Sequence, residues 1–218
     1  MSFDWSVIVE AMPDLMKGAG VTLQIAGIGL AGGLLLGILL GLVRAYAPKP
    51  FNAIALFYVE IIRGTPIIVQ VMFIYFAIPI MTGRRVDAMV AAIVAIMVNS
   101  SAYIAELVRG AFLALPKGLT EAGLAMGLPF WKVLLTVLAP VAIRRLIPPL
   151  GNQFITSLKD TSLFTVISVA ELTRTGQEIM ATNFKAVEIW TAIAIIYLMM
   201  TGILSGILRI TERKMRIL

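Results

Sequence analysis

From Gly20 to Val43 the chain carries no charged residue, and at a rise of ~1.5 Å per residue that stretch makes a helix about 36 Å long. The hydrocarbon core of a bilayer is only ~30 Å thick. A segment that crosses lipid must satisfy its own backbone hydrogen bonds, which makes it a helix and sets the terms for the rest of the chain. The remaining sequence agrees: 60% of residues are hydrophobic, 14% are charged and the mean hydropathy is +0.96, far from the balance of a soluble domain. The expected fold class is an all-α membrane protein.

Its 218 residues leave room for about five spans of roughly 20 residues plus connections. They are expected at 20–43, 51–80, 87–113, 133–158 and 188–208, within a single transmembrane domain covering 1–218. In the first, Gly29, Gly33, Gly37 and Gly41 recur on one stripe, where another helix can approach closely. The second is interrupted by Glu60, Arg63, Gly64, Thr65 and Pro66. The third places Asn99, Ser100 and Ser101 near its centre. In the fourth, Pro140, Pro148 and Pro149 demand a kink or a pause. Residues 159–187 are too polar to span and read as short helices and loops, partly re-entrant.

The N-terminus has no basic run and carries Asp4, Glu10 and Asp14 before any long apolar stretch, so it is not expected to be a cleaved signal. It reads either as a short interfacial helix with Trp5 at headgroup level or as a plain lead-in to the first span.

The net charge of +6 is best read by position. Five spans put the termini on opposite faces. With the C-terminus cytoplasmic, Arg44, Lys49, Arg109, Lys117, Lys132, Arg144, Arg145, Arg209, Arg213, Lys214 and Arg216 lie inside. Lys17, Arg84, Arg85, Lys159, Arg174 and Lys185 then lie outside, and Arg63 lies within the membrane. The excess inside predicts a periplasmic N-terminus, and it explains the charge without nucleic acid. The sequence has no Cys and no His, which removes disulfides, thiolate nucleophiles, His-ligated metals and imidazole chemistry together.

Between the third and fourth spans, about 120–128, stands a short cytoplasmic stretch containing Glu121, Ala122, Gly123 and Gly127. An acidic residue in a first helical turn suits the helix dipole, and Gly127 with Pro129 beyond it suits a left-handed end. The expected element is a stub helix over Glu121–Met126. It is either an ordinary turn between spans or a knob for a soluble partner.

The run Glu121-Ala122-Gly123-Leu124-Ala125-Met126-Gly127, closed by Leu138-Ala139-Pro140, resembles the cytoplasmic motif of ATP-binding-cassette importer permeases, where it forms the coupling helix. Glu60 to Pro66 followed by Val69-Gln70, Pro148 to Gln153, Lys159 to Leu163, and Ala170-Glu171-Leu172 are similar, in the family's order, to the polar amino acid branch. The resemblance covers essentially the whole chain. It implies a type I importer permease fold, with Glu121, Ala122, Gly123 and Gly127 contacting the ATPase. Gly123 stands where the family often has Ala, a change that loosens a helix slightly. The implied partners are two ATP-binding cassette subunits that carry ATP and Mg, a periplasmic amino-acid-binding protein, and a second copy of this chain or a similar permease. The expected location is the bacterial inner membrane. No cofactor is expected on this chain, which lacks G-x-x-x-x-G-K-[ST].

The resemblance also implies a polar amino acid substrate, with glutamine first and arginine, histidine or glutamate as alternatives. A charge at the bilayer centre costs about 2.5–3.5 kcal/mol, so Glu60, Arg63 and Asp160 require reasons. Glu60 and Arg63, spaced i,i+3, can neutralise each other or set a gate. Asp160 is the expected partner of the substrate ammonium, with Thr161 and Ser162 beside it. Arg63, or backbone N–H groups freed at Pro66, is expected to hold the carboxylate. Gln70, Asn99 and Ser100 are assigned to the side chain, although Asn99 and Ser100 can equally bond between helices. Glu106 and Arg109 read as an interfacial ion pair. A secondary transporter would be expected to show an internal repeat, which the chain lacks. An intramembrane enzyme would have only Ser, Lys and carboxylates to work with.

Overall fold

The computed structural model describes residues 3–215; Arg216, counted above with the basic C-terminus, lies outside them. In chain order the helices are α1 Trp5–Tyr46, α2 Lys49–Gly64, α3 Ile67–Thr82, α4 Ala88–Leu113, α5 Lys117–Ala125, α6 Phe130–Ile167, α7 Leu172–Asn183 and α8 Ala186–Met215. Helices α1, α4, α6 and α8 are each long and apolar enough to cross a membrane. Helices α2 and α3 pass the same test only as a pair, bent by 103° at the break between them, which makes five crossings where that bent pair counts as one span.

The glycine stripe positions the scaffold. A Cβ added at Gly29, Gly33, Gly37 or Gly41 would collide with Ile96, Ser100, Ile104 or Val108 respectively, and in each case also with a backbone carbonyl of α4. Both series advance by four, so α1 and α4 run parallel in register, one helix ridge against the other's glycine groove. Asp87 caps α4 by accepting from the backbone N–H groups of Met89 and Val90 at 2.8 and 3.2 Å.

At its N-terminal end α1 is not a separate interfacial helix: it is one continuous helix from Trp5 through Pro13 to Tyr46, so the lead-in to the first span is itself helical. Ile8, Ala11, Leu15 and Ala19 are buried against Leu172, Ile189, Ala192, Ile193 and Ile196 of α7 and α8. That apolar seam extends the helix well before Gly20. Trp5 stays exposed.

The prolines of the fourth span do not interrupt it. Helical turns continue from Phe130 to Ile167, widening to π geometry over Val133–Leu138 and tightening to a 3-10 turn over Thr161–Ile167. The π segment ends one residue short of Pro140, with Ala139 between, and another, Phe73–Ala77, ends one residue short of Pro79, with Ile78 between. A proline ring clashes with the carbonyl four residues earlier, and a wider turn moves that carbonyl aside. In both places a residue before the proline bonds five positions back, Ala139 to Leu134 and Ile78 to Phe73.

The segment after α6 is short helix and turn, as its polarity suggests. Glu171, fully buried, caps α7 by accepting from the Thr173 and Arg174 N–H groups, and it also accepts from the Tyr197 hydroxyl at 3.1 Å. Burial pushes its carboxyl above the usual range, opposed by those donors. The Thr22 hydroxyl accepts from the Leu172 N–H, tying this corner to α1.

Candidate functional site

The second span breaks because Pro66 supplies no N–H and Thr65 sits in extended conformation. The carbonyls at the end of α2 then need partners, and Gln70 of α3 provides them. Its Nε2 donates to the Ile62 carbonyl at 2.8 Å, and to the Thr65 carbonyl and hydroxyl at 3.0 Å. Its Oε1 accepts from Asn99 Nδ2 of α4 at 3.1 Å. Gln70 and Asn99 are both buried, and the pair staples the break to the neighbouring helix.

Around the break lie two adjoining cavities. The first, about 200 Å³, is lined by Thr65, Pro66, Ile67, Asn99, Tyr103, Gln153, Thr156 and Asp160. The second, about 310 Å³, is lined by Arg63, Tyr103, Glu106, Leu107, Pro149, Asn152, Gln153 and Thr156. They share Tyr103, Gln153 and Thr156, so α4 and α6 line both. Ligand sites run from about 300 to 1,000 Å³, so the second cavity sits at the small end of that range and the first lies below it. Single small polar molecules fit such a space.

A carboxylate marks one cavity and a guanidinium the other. Asp160 is half-buried, and its carboxylate has no hydrogen-bond or ion-pair partner among the described residues. Neither neighbouring Lys159 nor Arg63 forms a salt bridge with it. Arg63 instead places its guanidinium 5.4 Å from the centre of the Tyr103 ring, a cation–π contact.

The expected Glu60–Arg63 ion pair is therefore corrected. Among the described residues four salt bridges form, and none involves Glu60 or Arg63. The spacing permits a pair, but the Tyr103 face draws Arg63 toward α4 while Glu60 stays exposed. Glu106 is paired as expected, with Arg109 at 2.8 Å, and additionally with Arg44 of α1 at 3.3 Å.

Of the residues assigned to substrate from sequence, Asp160, Arg63 and Asn99 line the cavities, whereas Gln70, Ser100, Thr161 and Ser162 line neither. Both ends of the Gln70 amide are occupied at the break. Ser100 is buried against Gly33 in the α1–α4 seam. The Thr161 hydroxyl donates back to the Leu158 carbonyl, and that of Ser162 to Lys159, each at 2.8 Å. Tyr103, Gln153 and Thr156 were missed. Three and seven residues separate Gln153 from Thr156 and Asp160, a helical stripe on α6 that the i,i+3,i+7 rule would have exposed; Tyr103 follows Asn99 by one turn.

The stub helix is longer than expected. It starts at Lys117, behind Pro116, so Glu121 sits mid-helix and not in the first turn. Its far end is as expected: Gly127 has φ +78. The Gly127 N–H bonds the Leu124 carbonyl at 2.9 Å and the Leu128 N–H bonds that of Gly123 at 3.3 Å, a Schellman closure. Gly123 has a packing role, since a Cβ there would lie 2.8 Å from both Val133 methyls. Glu121, Ala122, Leu124, Met126 and Gly127 remain exposed on the outer surface.

The family described as binding-protein-dependent transport system inner membrane component matches residues 33–217. A glutamine transport system permease protein of Escherichia coli strain K12 is 57% identical over 219 residues, covering all of both chains. An arginine transport system permease protein of Bacillus subtilis is 34% identical over 99% of each. Among solved structures, a crystal structure of an amino acid ABC transporter with histidines superposes with a TM-score of 0.90 at 34% identity, covering 98% of this chain and 100% of that one. An inward-facing methionine ABC transporter shares the fold, at a TM-score of 0.75, 21% identity and 98% coverage of this chain.

Proposed function

This chain belongs to the binding-protein-dependent transport system inner-membrane components, as a permease subunit of an ABC importer, and from that premise we propose that it carries L-glutamine inward through the paired cavities. The observation that carries the proposal is the opposition of an unpartnered Asp160 to Arg63 across adjoining polar cavities. A free amino acid is dipolar, and this arrangement offers an anion for its ammonium and a cation for its carboxylate. Gln153, Asn99 and Thr156 supply hydrogen-bonding groups for an uncharged amide. Full-length identity of 57% to a glutamine permease supports the choice of substrate.

Two copies of the chain assemble about a two-fold axis along the membrane normal, with the N-terminus periplasmic and α5 cytoplasmic. ATP is bound and hydrolysed by two separate cassette subunits that grip α5. A periplasmic binding protein delivers the amino acid. Closure of the ATPases moves α5, and α4 and α6, which flank it in the chain and wall the cavities, carry the motion into alternating access.

ATPase stimulation of the reconstituted complex by its binding protein, screened across the amino acids, tests the substrate. Glutamine is expected to stimulate most, and a response led by arginine or histidine rejects it. Coupling is tested by Gly127→Val, which puts a β-branched residue at φ +78. The expected variant assembles poorly with the ATPase or hydrolyses ATP without transport; normal uptake by a normally assembled variant rejects docking at α5.

A further inference from the structure

Between α1 and α2 runs a groove of about 460 Å³ that the transport route does not use, bounded by Leu36, Leu40, Val43, Phe51, Ile54 and Tyr58. Its walls are almost wholly hydrocarbon. The one polar side chain among them turns away, since the Tyr58 hydroxyl lies 2.7 Å from Ser101 Oγ and 3.2 Å from the Val98 carbonyl. From Leu36 to Ala47, at ~1.5 Å per residue, the groove is about 16 Å long. That is one leaflet's share of a ~30 Å core.

The groove ends where Ala47 and Pro48 join α1 to α2. Tyr46 there stacks edge-on against Phe112 and Phe130, so this is the α5 end of the molecule. At the mouth Lys49 is exposed, with no salt bridge among the described residues. Its neighbour Arg44 is not free, being bonded to Glu106 and Asn52.

We infer that the groove holds one acyl chain of an anionic phospholipid from the cytoplasmic leaflet, with the headgroup phosphate against the Lys49 ammonium. The leaflet rests on the orientation proposed above. Charge and shape select this occupant. A soluble anion leaves the hydrocarbon walls facing nothing, and helices joined by a two-residue turn converge, which shuts a helix about 10–12 Å wide out of the end beside Lys49. A single acyl chain enters that end and places its phosphate at the cation.

The assembled transporter, purified in mild detergent and titrated with phosphatidylglycerol, reports bound lipid by native mass spectrometry. Lys49→Gln is expected to weaken binding about five-fold, the worth of one basic side chain at an anionic lipid surface. Ile54→Trp fills the open side of the groove at an exposed position and is expected to reduce bound lipid without changing the charge. Binding equal to wild type in both variants overturns the inference. Because the chain has no Cys, Ile54→Cys carries a unique thiol. Spontaneous cross-linking of that thiol between copies would show a subunit interface instead and overturn the inference, and broadening of a spin label on it by acyl-labelled phosphatidylglycerol supports it. Reaction of Lys49→Cys with a membrane-impermeant reagent from the periplasmic side would overturn the leaflet assignment alone, separately from lipid binding.

Discussion

The seam between α1 and α4 and the break between α2 and α3 bring helices together in opposite ways. Along the seam, glycines admit the neighbouring backbone so closely that Ile96, Ser100, Ile104 and Val108 fill the space a Cβ would need. Nothing polar is left over, and Ser100 satisfies itself on its own helix through the Met97 carbonyl. At the break the backbone gives up helical bonds, a glutamine side chain replaces them, and cavities remain. Lipid offers no hydrophobic drive for helices to associate. Close packing therefore marks what must stay fixed, and a stapled break marks where a polar solute can be accommodated.

The largest test of that contrast is Gly37→Ala against Gly27→Ala. A Cβ at Gly37 would lie 2.7 Å from Ile104 Cβ and 2.9 Å from the Ser101 carbonyl, whereas one at Gly27 meets nothing within 4 Å. Overpacking against backbone sits at the upper end of its usual cost, about 3 kcal/mol. Thermal unfolding of the purified chain should show a large loss for Gly37→Ala and none for Gly27→Ala; equal midpoints would mean that the seam is not tightly closed.

Next in size is Gln70→Leu, which leaves the Ile62 and Thr65 carbonyls and the Asn99 amide without their partner. A buried polar group so orphaned costs about 1–3 kcal/mol, and a loss of about 2 kcal/mol in stability is expected. If stability holds while transport fails, Gln70 belongs to the substrate after all.

Asp160→Asn separates solute binding from scaffold. The side chain keeps its size and loses its charge, so a charge-assisted bond to an ammonium becomes an ordinary one. Substrate-stimulated transport should fall about ten-fold, near 1.4 kcal/mol. The thermal midpoint should stay unchanged, because Asp160 bonds no described side chain. Unaltered transport rejects the ammonium-site role.

How much of this was legible depended on the kind of signal. The spans followed from apolar length, and both the bend at Pro66 and the left-handed end at Gly127 followed from single-residue stereochemistry. The start of α1 at Trp5 was half legible: Ile8, Met12 and Leu15 share a readable helical face, but polar Glu10, Asp14 and Lys17 make it look interfacial, and its packing against α7 and α8 shows only in the structure. The site was half legible: Asp160, Arg63 and Asn99 announce themselves as costly groups in a membrane. Gln70 announces itself equally loudly, yet its amide is spent on the break, and sequence alone does not say which buried polar groups are already satisfied. Tyr103, Gln153 and Thr156 are ordinary residues that matter only because α4 and α6 face the same gap.

The smallest expected effect concerns Glu60, where spacing suggested a pair that geometry does not make. Arg63 is held over Tyr103, and Glu60 is exposed on α2. Glu60→Gln should therefore change stability by less than about 0.5 kcal/mol, as surface substitutions do. A single variant cannot distinguish a weak pair from none, because a carboxylate lost near any cation has some effect. A double-mutant cycle with Arg63→Met can. Independent sites add to within about 0.3–0.5 kcal/mol, while groups in contact show coupling beyond that. Additive unfolding energies are expected. Coupling above that limit would mean that Glu60 and Arg63 meet in the assembled transporter, and the α2 end of the break would then be an electrostatic latch and not only a stapled gap.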